Sequence, residues 1–275
     1  MLWYDGRIVE GPVPFDLADR GLLLGDGMFD TALALDGRIV FEAAHVARLV
    51  AAAETLGFLV DARVIIEAMR AVAGAAPRAA VRTTVTRGAG PRGIAPPAEP
   101  RPLVFASAAA ANPGFAYASL RLQVSTIARN ETSPASRTKT LGYLDAVLAA
   151  HAARAEGFDE ALFLNTRGRV ACAGTGNVFA VIDRQLVTPP VEEGVLAGIV
   201  RALLLEQAPS LGLPVQERAL SLDELRQAQA VFVTNSLRLL SPVAAIGDRS
   251  WPDDEDVTTA RCRELIARAV AAAQA

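Results

Sequence analysis

Lysine is almost absent from this chain, since Lys and Arg together number 27 and Lys139 is the single lysine. Arginine matches lysine as a surface charge but not in amine chemistry. Its guanidinium stays protonated, whereas a lysine amine can lose its proton and attack a carbonyl to form a Schiff base. Such a composition indicates either a chemical role for Lys139 or its chance survival in an arginine-rich chain.

Cysteine and histidine are also scarce. Cys172 and Cys262 lie far apart without CxxC spacing, which argues against a disulfide framework and a thiolate zinc site. The two histidines, His45 and His151, argue against a histidine-based metal centre. We therefore expect no metal site.

Long apolar runs are missing as well. No segment offers the ~20 continuous apolar residues that a membrane-spanning helix needs, and the N-terminus lacks the basic and apolar pattern of a signal peptide. A net charge of −3 and a pI near 5.5 indicate no general surface for nucleic acid. We therefore expect a cytoplasmic protein that binds neither membranes nor nucleic acid.

The remaining composition is that of a folded protein, with 275 residues of which 52% are hydrophobic. Strand and helix patterns alternate in both halves, which predicts an α/β or α+β protein of two domains. Asn112-Pro113-Gly114 is the clearest linker signal. The predicted division is a domain over 1–111, a linker over 112–120 and a domain over 121–275.

Hydrophobic periodicity and turn residues predict the individual elements. Helices are predicted over 43–56, 62–73 with Asp61 as its N-cap, 141–155, 198–205, 222–229 and 257–273. Strands are predicted over 2–4, 7–9, 29–35, 38–41, 79–86, 103–108, 120–126, 160–164, 177–182 and 230–234. Residues 19–27 are predicted to form a glycine-punctuated loop.

Lys139 lies just before a predicted helix, where it suits a Schiff base to pyridoxal 5′-phosphate (PLP). That cofactor needs a phosphate anchor, and Gly198 opens an apolar helix whose N-terminal N–H groups can face an anion. Thr234-Asn235-Ser236 follows a strand and offers further donors. Arg48, three residues after His45 on one helical face, can bind a phosphate bidentately. A simple helix cap, a surface arginine and a core-edge histidine also account for these residues.

Together these motifs resemble one family, the class IV aminotransferases, which are the fold-type IV PLP enzymes. The resemblance covers about residues 3–247 and rests on motifs in this order: Asp19-Arg20-Gly21, Gly25-Asp26-Gly27-Met28-Phe29, His45-x-x-Arg48-Leu49, Lys139, Asp159-Glu160-Ala161-Leu162, Gly176-Asn177-Val178-Phe179, Thr188-Pro189, Leu196-x-Gly198-Ile199 and Thr234-Asn235-Ser236. It implies a homodimer whose subunits have a smaller N-terminal α/β domain and a larger PLP-binding pseudo-barrel domain.

The resemblance also implies a role for each matching residue. Lys139 would carry the Schiff base and then act as the proton-transfer base. Other cofactor contacts would come from the Arg48 side chain, the backbone amides of Ile199 and Val200, Asn235, the Ser236 hydroxyl and Tyr143. Relatives often carry threonine where Val200 stands, so one hydroxyl contact is lost. Phe29 and Arg92 would face the substrate.

Cys172 departs from the family pattern. Relatives usually have a glutamate five residues before the asparagine of the Asn-x-Phe motif, and it keeps the pyridine nitrogen of PLP protonated. Counting back from Asn177 gives Cys172. A neutral thiol offers no full negative charge, so the resemblance implies that the pyridinium is less favoured here.

The motifs within the family favour 4-amino-4-deoxychorismate lyase, which releases pyruvate to give p-aminobenzoate for folate. The stretch Thr86–Gly93 and Thr234-Asn235-Ser236-Leu237 resemble that enzyme, and Ile94 stands where D-amino acid aminotransferases often place a histidine. An aminotransferase acting on D-amino acids or branched-chain amino acids with 2-oxoglutarate is the alternative. Cys172 and Val200 also motivate a third hypothesis, a relative that has lost catalysis.

Overall fold

The computed structural model describes residues 1–252 and 256–274. Its contacts divide the chain into two compact units. The first comprises Met1–Pro113, Thr138–Gly142 and residues 273–274, and the second comprises Gly114–Arg137 and Tyr143–Ala272. Thr138–Gly142, which the predicted division places in the second domain, therefore groups with the first unit.

The first unit is built on a six-stranded antiparallel sheet in the order β2-β1-β6-β5-β3-β4. Its elements in chain order are β1 (Leu2–Tyr4), β2 (Arg7–Val9), α1 (Arg20–Leu24), β3 (Gly27–Leu35), β4 (Arg38–Ile39), α2 (Glu42–Thr55), α3 (Ala62–Ala73), β5 (Arg78–Thr86) and β6 (Leu103–Ala110). β3 and β5 pair over nine residues each, which is the longest pairing in this sheet, and β5 pairs with β6 on its other side.

The core of the first unit lies between this sheet and the helices α2 and α3. Asp61 caps α3 because its side chain accepts a hydrogen bond from the Arg63 N–H at 2.8 Å. Ile65, Met69 and Val72 then recur at helical spacing and are each at most 1% exposed. This apolar stripe packs with residues of β3, β5 and β6 in one hydrophobic cluster.

The second unit contains a nine-stranded mixed sheet in the order β12-β11-β10-β13-β14-β7-β8-β9, with β15 paired to β14. Its elements are β7 (Leu120–Val124), α4 (Pro134–Arg137), α5 (Leu144–Ala155), β8 (Glu160–Leu164), β9 (Val170–Ala173), β10 (Asn177–Ile182), β11 (Gln185–Thr188), α6 (Ile199–Gln207), β12 (Val215–Glu217), α7 (Leu222–Gln227), β13 (Ala230–Asn235), β14 (Leu239–Ile246), β15 (Arg249–Ser250) and α8 (Val257–Ala272). Parallel pairs join β14 to β7 and β7 to β8.

The predicted mixed α/β class is confirmed, but several predicted elements are wrong in detail. The predicted loop over 19–27 contains α1, because the Asp19 carboxylate accepts from the N–H groups of Gly21 and Leu22 and starts a helical turn. The helix predicted from Leu141 begins at Leu144. The predicted elements do not include strands β9, β11, β12, β14 and β15 or the short helix α4. In the part of the chain that the structure describes, no helix is both long and apolar enough to cross a bilayer.

Candidate active site

The segment around Lys139 is held in the first unit by the start of β3. The Phe29 N–H donates to the Lys139 carbonyl at 2.9 Å, and the Leu141 N–H donates to the Gly27 carbonyl at 3.0 Å. Thr140 forms an antiparallel bridge with Met28 between these two bonds. The segment thus extends the sheet as a short extra strand, which explains why it groups with the first unit.

Gly27 is required for this close approach. A Cβ atom at this position would lie 2.5 Å from the Val85 carbonyl oxygen and 3.0 Å from the Leu141 side chain. Only glycine leaves room for β5 on one side and the lysine segment on the other. The glycine-rich motif that precedes Phe29 therefore has a direct structural purpose, which is to bring Lys139 against the sheet.

The side chain of Lys139 lies over the ring of Phe29. Its Nζ atom is 4.4 Å from the ring centroid, and the guanidinium carbon of Arg82 is 3.6 Å from the same centroid. Phe29 is 7% exposed, so two cations share one largely buried aromatic ring. Arg82 was not predicted as a site residue. The sequence places Arg82 in the strand predicted over 79–86, but only the structure shows its register opposite Thr31, which puts it on the sheet face of Phe29.

Arg48 is fixed by a buried carboxylate. Its Nε donates to Asp30 Oδ2 at 2.8 Å and its Nη2 donates to Asp30 Oδ1 at 2.7 Å. His45 Nδ1 lies 2.9 Å from the same Oδ1, which confirms that His45 and Arg48 share a helical face. Burial alone would raise the pKa of Asp30, but the hydrogen bonds from His45 and Arg48 hold it well below its usual value. The charge of Asp30 thus fixes the orientation of Arg48, whose contact with phosphate stays a prediction.

Asp30 itself was missed by the sequence reasoning. The signal was available, because Asp30 is the one charged residue in a strand predicted over 29–35 whose other residues, apart from Thr31, are apolar. The structure shows that Asp30 is 1% exposed. Arg92, predicted to face the substrate, lies exposed in the connection between β5 and β6.

In the second unit, the N-terminus of α6 has the features of an anion site. Its first two residues are Ile199 and Val200, and its N-cap residue Gly198 provides no side-chain acceptor. The first N–H groups of a helix have no partner within the helix, and the helix dipole favours negative charge there. Val200 is 1% exposed and apolar, so its backbone is the part that can serve a phosphate.

Asn177 sets the position of this helix terminus. Its Nδ2 donates to the Leu196 carbonyl at 2.8 Å, and it is 5% exposed. A Cβ atom on Gly198 would lie only 2.0 Å from Asn177 Oδ1, so the backbone at 198 packs directly on this amide. Gly176 is restricted in the same way, since its Cβ would lie 2.4 Å from a Val233 methyl carbon. Asn177, at the start of β10, therefore shapes the start of α6, whereas Gly176 lets the chain just before β10 approach Val233 of β13.

The turn after β13 contains two other residues that are predicted to contact the cofactor. Asn235 Oδ1 accepts from the N–H groups of Leu237 at 3.0 Å and Arg238 at 2.8 Å, so this side chain shapes the turn. Ser236 lies half-buried in the same turn. Tyr143 is the N-cap residue of α5, without a side-chain capping bond. The cofactor contacts assigned to Asn235, Ser236 and Tyr143 stay predictions.

Cys172 lies on β9 and pairs with Phe163 of β8. Burial raises the pKa of its thiol, and the neighbouring Arg129 guanidinium offsets only part of that effect. The thiol is therefore neutral at pH 7. Arg129 stacks 4.5 Å from the Phe163 ring centroid. The nearby Glu160 is engaged by the Thr175 N–H, and burial raises its pKa as well.

Comparison with known proteins identifies the family. The family model for class IV aminotransferases matches residues 27–246. The chain belongs to the class IV aminotransferase family. Enzymes of this family are PLP-dependent transaminases or lyases, so the predicted cofactor and enzyme class are confirmed.

Two curated relatives of this class IV aminotransferase have different names. It is 33% identical over 261 residues to a putative branched-chain-amino-acid aminotransferase of Methanocaldococcus jannaschii, covering 90% of this chain and 88% of the relative. It is 29% identical over 254 residues to the aminodeoxychorismate lyase of Vibrio harveyi, covering 90% and 91%. Both relatives are members of the same family, and their names give two different reactions.

Solved structures confirm the fold of this class IV aminotransferase. A 4-amino-4-deoxychorismate lyase from Pseudomonas aeruginosa superposes with a TM-score of 0.85 at 31% identity and covers 98% of both chains. The branched-chain aminotransferase of Escherichia coli gives a TM-score of 0.88 at 24% identity, covering 96% of this chain and 92% of that one. The fold-type IV architecture predicted from the sequence is thus confirmed.

The residues of this class IV aminotransferase suit PLP on chemical grounds. Its one lysine supplies the amine, and the N-terminus of α6, whose N-cap residue Gly198 has no side chain to accept from the first N–H groups, supplies backbone donors for a phosphate. When bound, PLP stabilises negative charge on the carbon next to a substrate amine.

Proposed function

We propose that this enzyme is a PLP-dependent 4-amino-4-deoxychorismate lyase that releases pyruvate and forms p-aminobenzoate. The observation that carries the proposal is Cys172, a neutral thiol beside the Arg129 cation where relatives usually place a carboxylate. Transamination must store negative charge on the cofactor ring, so it depends strongly on a protonated pyridine. Elimination of pyruvate is driven partly by formation of an aromatic ring. A cofactor ring that accepts negative charge less readily should therefore slow the lyase reaction less than it slows transamination.

The proposed roles of the residues follow from their positions. Lys139 would bind the cofactor aldehyde through its amine and then move the proton at the substrate carbon. Arg48, oriented by Asp30, and the α6 N–H groups of Ile199 and Val200 would hold the phosphate, together with Ser236. Asn235 and Tyr143 would complete the cofactor contacts, and Cys172 would face the pyridine nitrogen.

Two arginines of the first unit support an anionic substrate. Arg82 lies on the ring of Phe29 beside Lys139, and Arg92 lies in the exposed loop after β5. Guanidinium groups bind carboxylates bidentately, and aminodeoxychorismate carries two carboxylates. The same pair would also suit a dicarboxylic amino acceptor such as 2-oxoglutarate, so it supports the substrate charge without selecting the reaction.

An aminotransferase acting on D-amino acids or branched-chain amino acids is the second candidate. It is favoured by the 33% identity to the branched-chain relative, which extends over 90% of this chain. In that case Lys139 and the phosphate contacts keep the same roles, and 2-oxoglutarate accepts the amino group.

The deciding experiment supplies purified, PLP-loaded enzyme with aminodeoxychorismate, and separately with D-alanine or L-leucine plus 2-oxoglutarate. The lyase produces p-aminobenzoate and pyruvate, whereas keto acids without p-aminobenzoate would refute the lyase. Lys139→Arg keeps the positive charge on Phe29 but removes the amine chemistry. It should abolish turnover and borohydride fixation of PLP to the protein, and turnover that survives would refute the role of Lys139. A wild-type enzyme that binds PLP and turns over no amine would favour a relative that has lost catalysis.

We also propose that the enzyme is a cytoplasmic homodimer. Leu22, Leu23 and Leu24 on α1 are 58%, 60% and 50% exposed, and a contiguous apolar surface of this kind favours a protein contact. Both cysteines are free thiols, which suits a reducing compartment. Light scattering after gel filtration tests the dimer, and a monomeric mass would contradict it.

A further inference from the structure

The guanidinium of Arg20 donates hydrogen bonds to three consecutive carbonyl groups of the loop that carries Arg92. Its Nη1 donates to the carbonyls of Gly93 at 3.1 Å and Ala95 at 3.2 Å, and its Nη2 donates to that of Ile94 at 2.9 Å. These bonds come from a residue on α1 that is 3% exposed. A buried cation therefore holds the backbone immediately after Arg92.

Asp26 orients Arg20 for this purpose, because its Oδ2 accepts from Arg20 Nε at 2.8 Å. The planar fork of arginine presents five donors in fixed directions, and four contacts to protein acceptors are made here. Gly90 also approaches closely, since a Cβ on it would lie 3.1 Å from Arg20 Cδ.

The loop itself has few other means of keeping its shape. Residues 91–95 form neither helix nor strand, and Ile94 is 86% exposed. Exposed segments with few buried apolar contacts open locally at low cost. The contacts with Arg20 thus account for much of the order of this loop.

We infer that Arg20 is a positioning residue for substrate binding, which fixes the backbone beside Arg92 so that Arg92 can receive a substrate carboxylate. This inference rests on the proposed role of Arg92. The bonds hold the residues directly after Arg92 and so limit where its guanidinium can reach. We call the hydrogen bonds from Arg20 to the carbonyls of Gly93, Ile94 and Ala95 the Arg20 clamp. Loss of this clamp should weaken substrate binding through Arg92 while leaving the amine chemistry of Lys139 in place.

Arg87 offers a matched control. Its Nε donates to the same Asp26 Oδ2 at 2.7 Å, and it is 5% exposed. Its other donors go to the carbonyls of Leu56 at 2.6 Å and Gly57 at 3.4 Å, which lie at the end of α2. Arg87→Lys therefore disturbs a buried arginine on the same carboxylate without touching the carbonyls of residues 93–95.

The test compares Arg20→Lys, Arg87→Lys and wild type as PLP-loaded enzymes. Limited trypsin digestion with mass spectrometry measures the rate of cleavage between Arg92 and Gly93. Cleavage tracks the open population of the loop. Loss of one charge-assisted hydrogen bond should raise the open population of the loop about tenfold. We expect Arg20→Lys to raise the cleavage rate at least about tenfold. We also expect KM for aminodeoxychorismate to rise by a larger factor than kcat falls. If the enzyme turns over only L-leucine, the same change is expected in KM for L-leucine.

Equal cleavage rates in Arg20→Lys and wild type, or equal increases in both lysine variants, would overturn the clamp. Faster cleavage in Arg20→Lys with an unchanged KM would overturn the role of Arg92 in substrate binding, and this outcome is distinct from failure of the clamp. Gly90→Ala is the second variant if Arg20→Lys does not fold. Its methyl group should displace the Arg20 stem by a few tenths of an ångström and should raise cleavage in the same direction by a smaller factor.

Discussion

Replacing Gly198 by alanine should destabilise the second unit, and prior removal of the Asn177 side chain should abolish that cost. The added Cβ would lie 2.0 Å from Asn177 Oδ1 and 3.1 Å from its Cγ. Asn177 is 5% exposed and bonded to the Leu196 carbonyl, so it has little room to retreat without losing this bond.

The magnitude follows from two contributions. Overpacking a well-packed site costs about 1–3 kcal/mol, and leaving a buried polar group without its hydrogen bond costs about 1–3 kcal/mol more. The expected loss for Gly198→Ala is therefore about 2–6 kcal/mol in the wild-type background. In the Asn177→Ala background the sign should reverse. Gly198 has φ −74° and ψ 144°, which alanine adopts freely, so the substitution should stabilise by about 0.4–1 kcal/mol through the unfolded chain.

The assay uses the two tryptophans of the chain, of which Trp3 lies in the first unit and Trp251 in the second. In a Trp3→Phe background, fluorescence of Trp251 during urea unfolding reports the second unit alone. The four proteins are that background, each single variant and the double variant. A coupling free energy of at least about 2 kcal/mol is expected. Single-variant effects that add to within about 0.5 kcal/mol would refute the proposed packing of Gly198 on Asn177.

Three further predictions concern buried ionisable groups. Asp30→Asn should lower the unfolding free energy of the first unit by about 3–5 kcal/mol at pH 7. Because the pKa of Asp30 is held low, urea unfolding should show the difference from wild type shrinking as the pH falls below about 4. Burial raises the pKa of Cys262 to about 12. The neutral thiol in the folded protein should therefore contribute less to the free energy of unfolding as the pH rises above about 8.5, where the thiol of the unfolded chain ionises. Rapid iodoacetamide labelling of the native thiol would contradict this burial. Cys172→Glu should raise transamination relative to p-aminobenzoate formation about tenfold, and an unchanged ratio of the two rates would remove the argument for the lyase.

Local sequence patterns were sufficient to predict an element when one apolar face of that element decides how it packs. The periodic apolar residues Ile65, Met69 and Val72 predicted α3, and the Asp61 cap predicted its start. The position of Lys139 was different. Its segment joins the first unit through backbone bonds to Gly27 and Phe29, far away in sequence, and no local pattern encodes such a partner.

The missed strand β14 shows a second limit. Pro242 lies within it, and proline ordinarily argues against a strand with neighbours on both sides. Here Pro242 pairs with Phe232 on β13, while pairing with β7 begins at Val243 and shifts register before Ala245. Pro242 therefore has a strand partner on one side only, and this placement depends on where pairing with β7 begins and not on the sequence of β14 alone.

The ring of Phe29 connects the composition of the chain with its chemistry. Arg82 and Lys139 both lie against this ring, at 3.6 and 4.4 Å from its centroid. A lysine in place of Arg82 would supply a similar charge but also a second amine able to attack a carbonyl near the ring. Arginine supplies the charge and stays protonated, so it adds no competing nucleophile. The preference for arginine throughout the chain therefore has a specific consequence here, because it leaves Lys139 as the single side-chain amine at this ring.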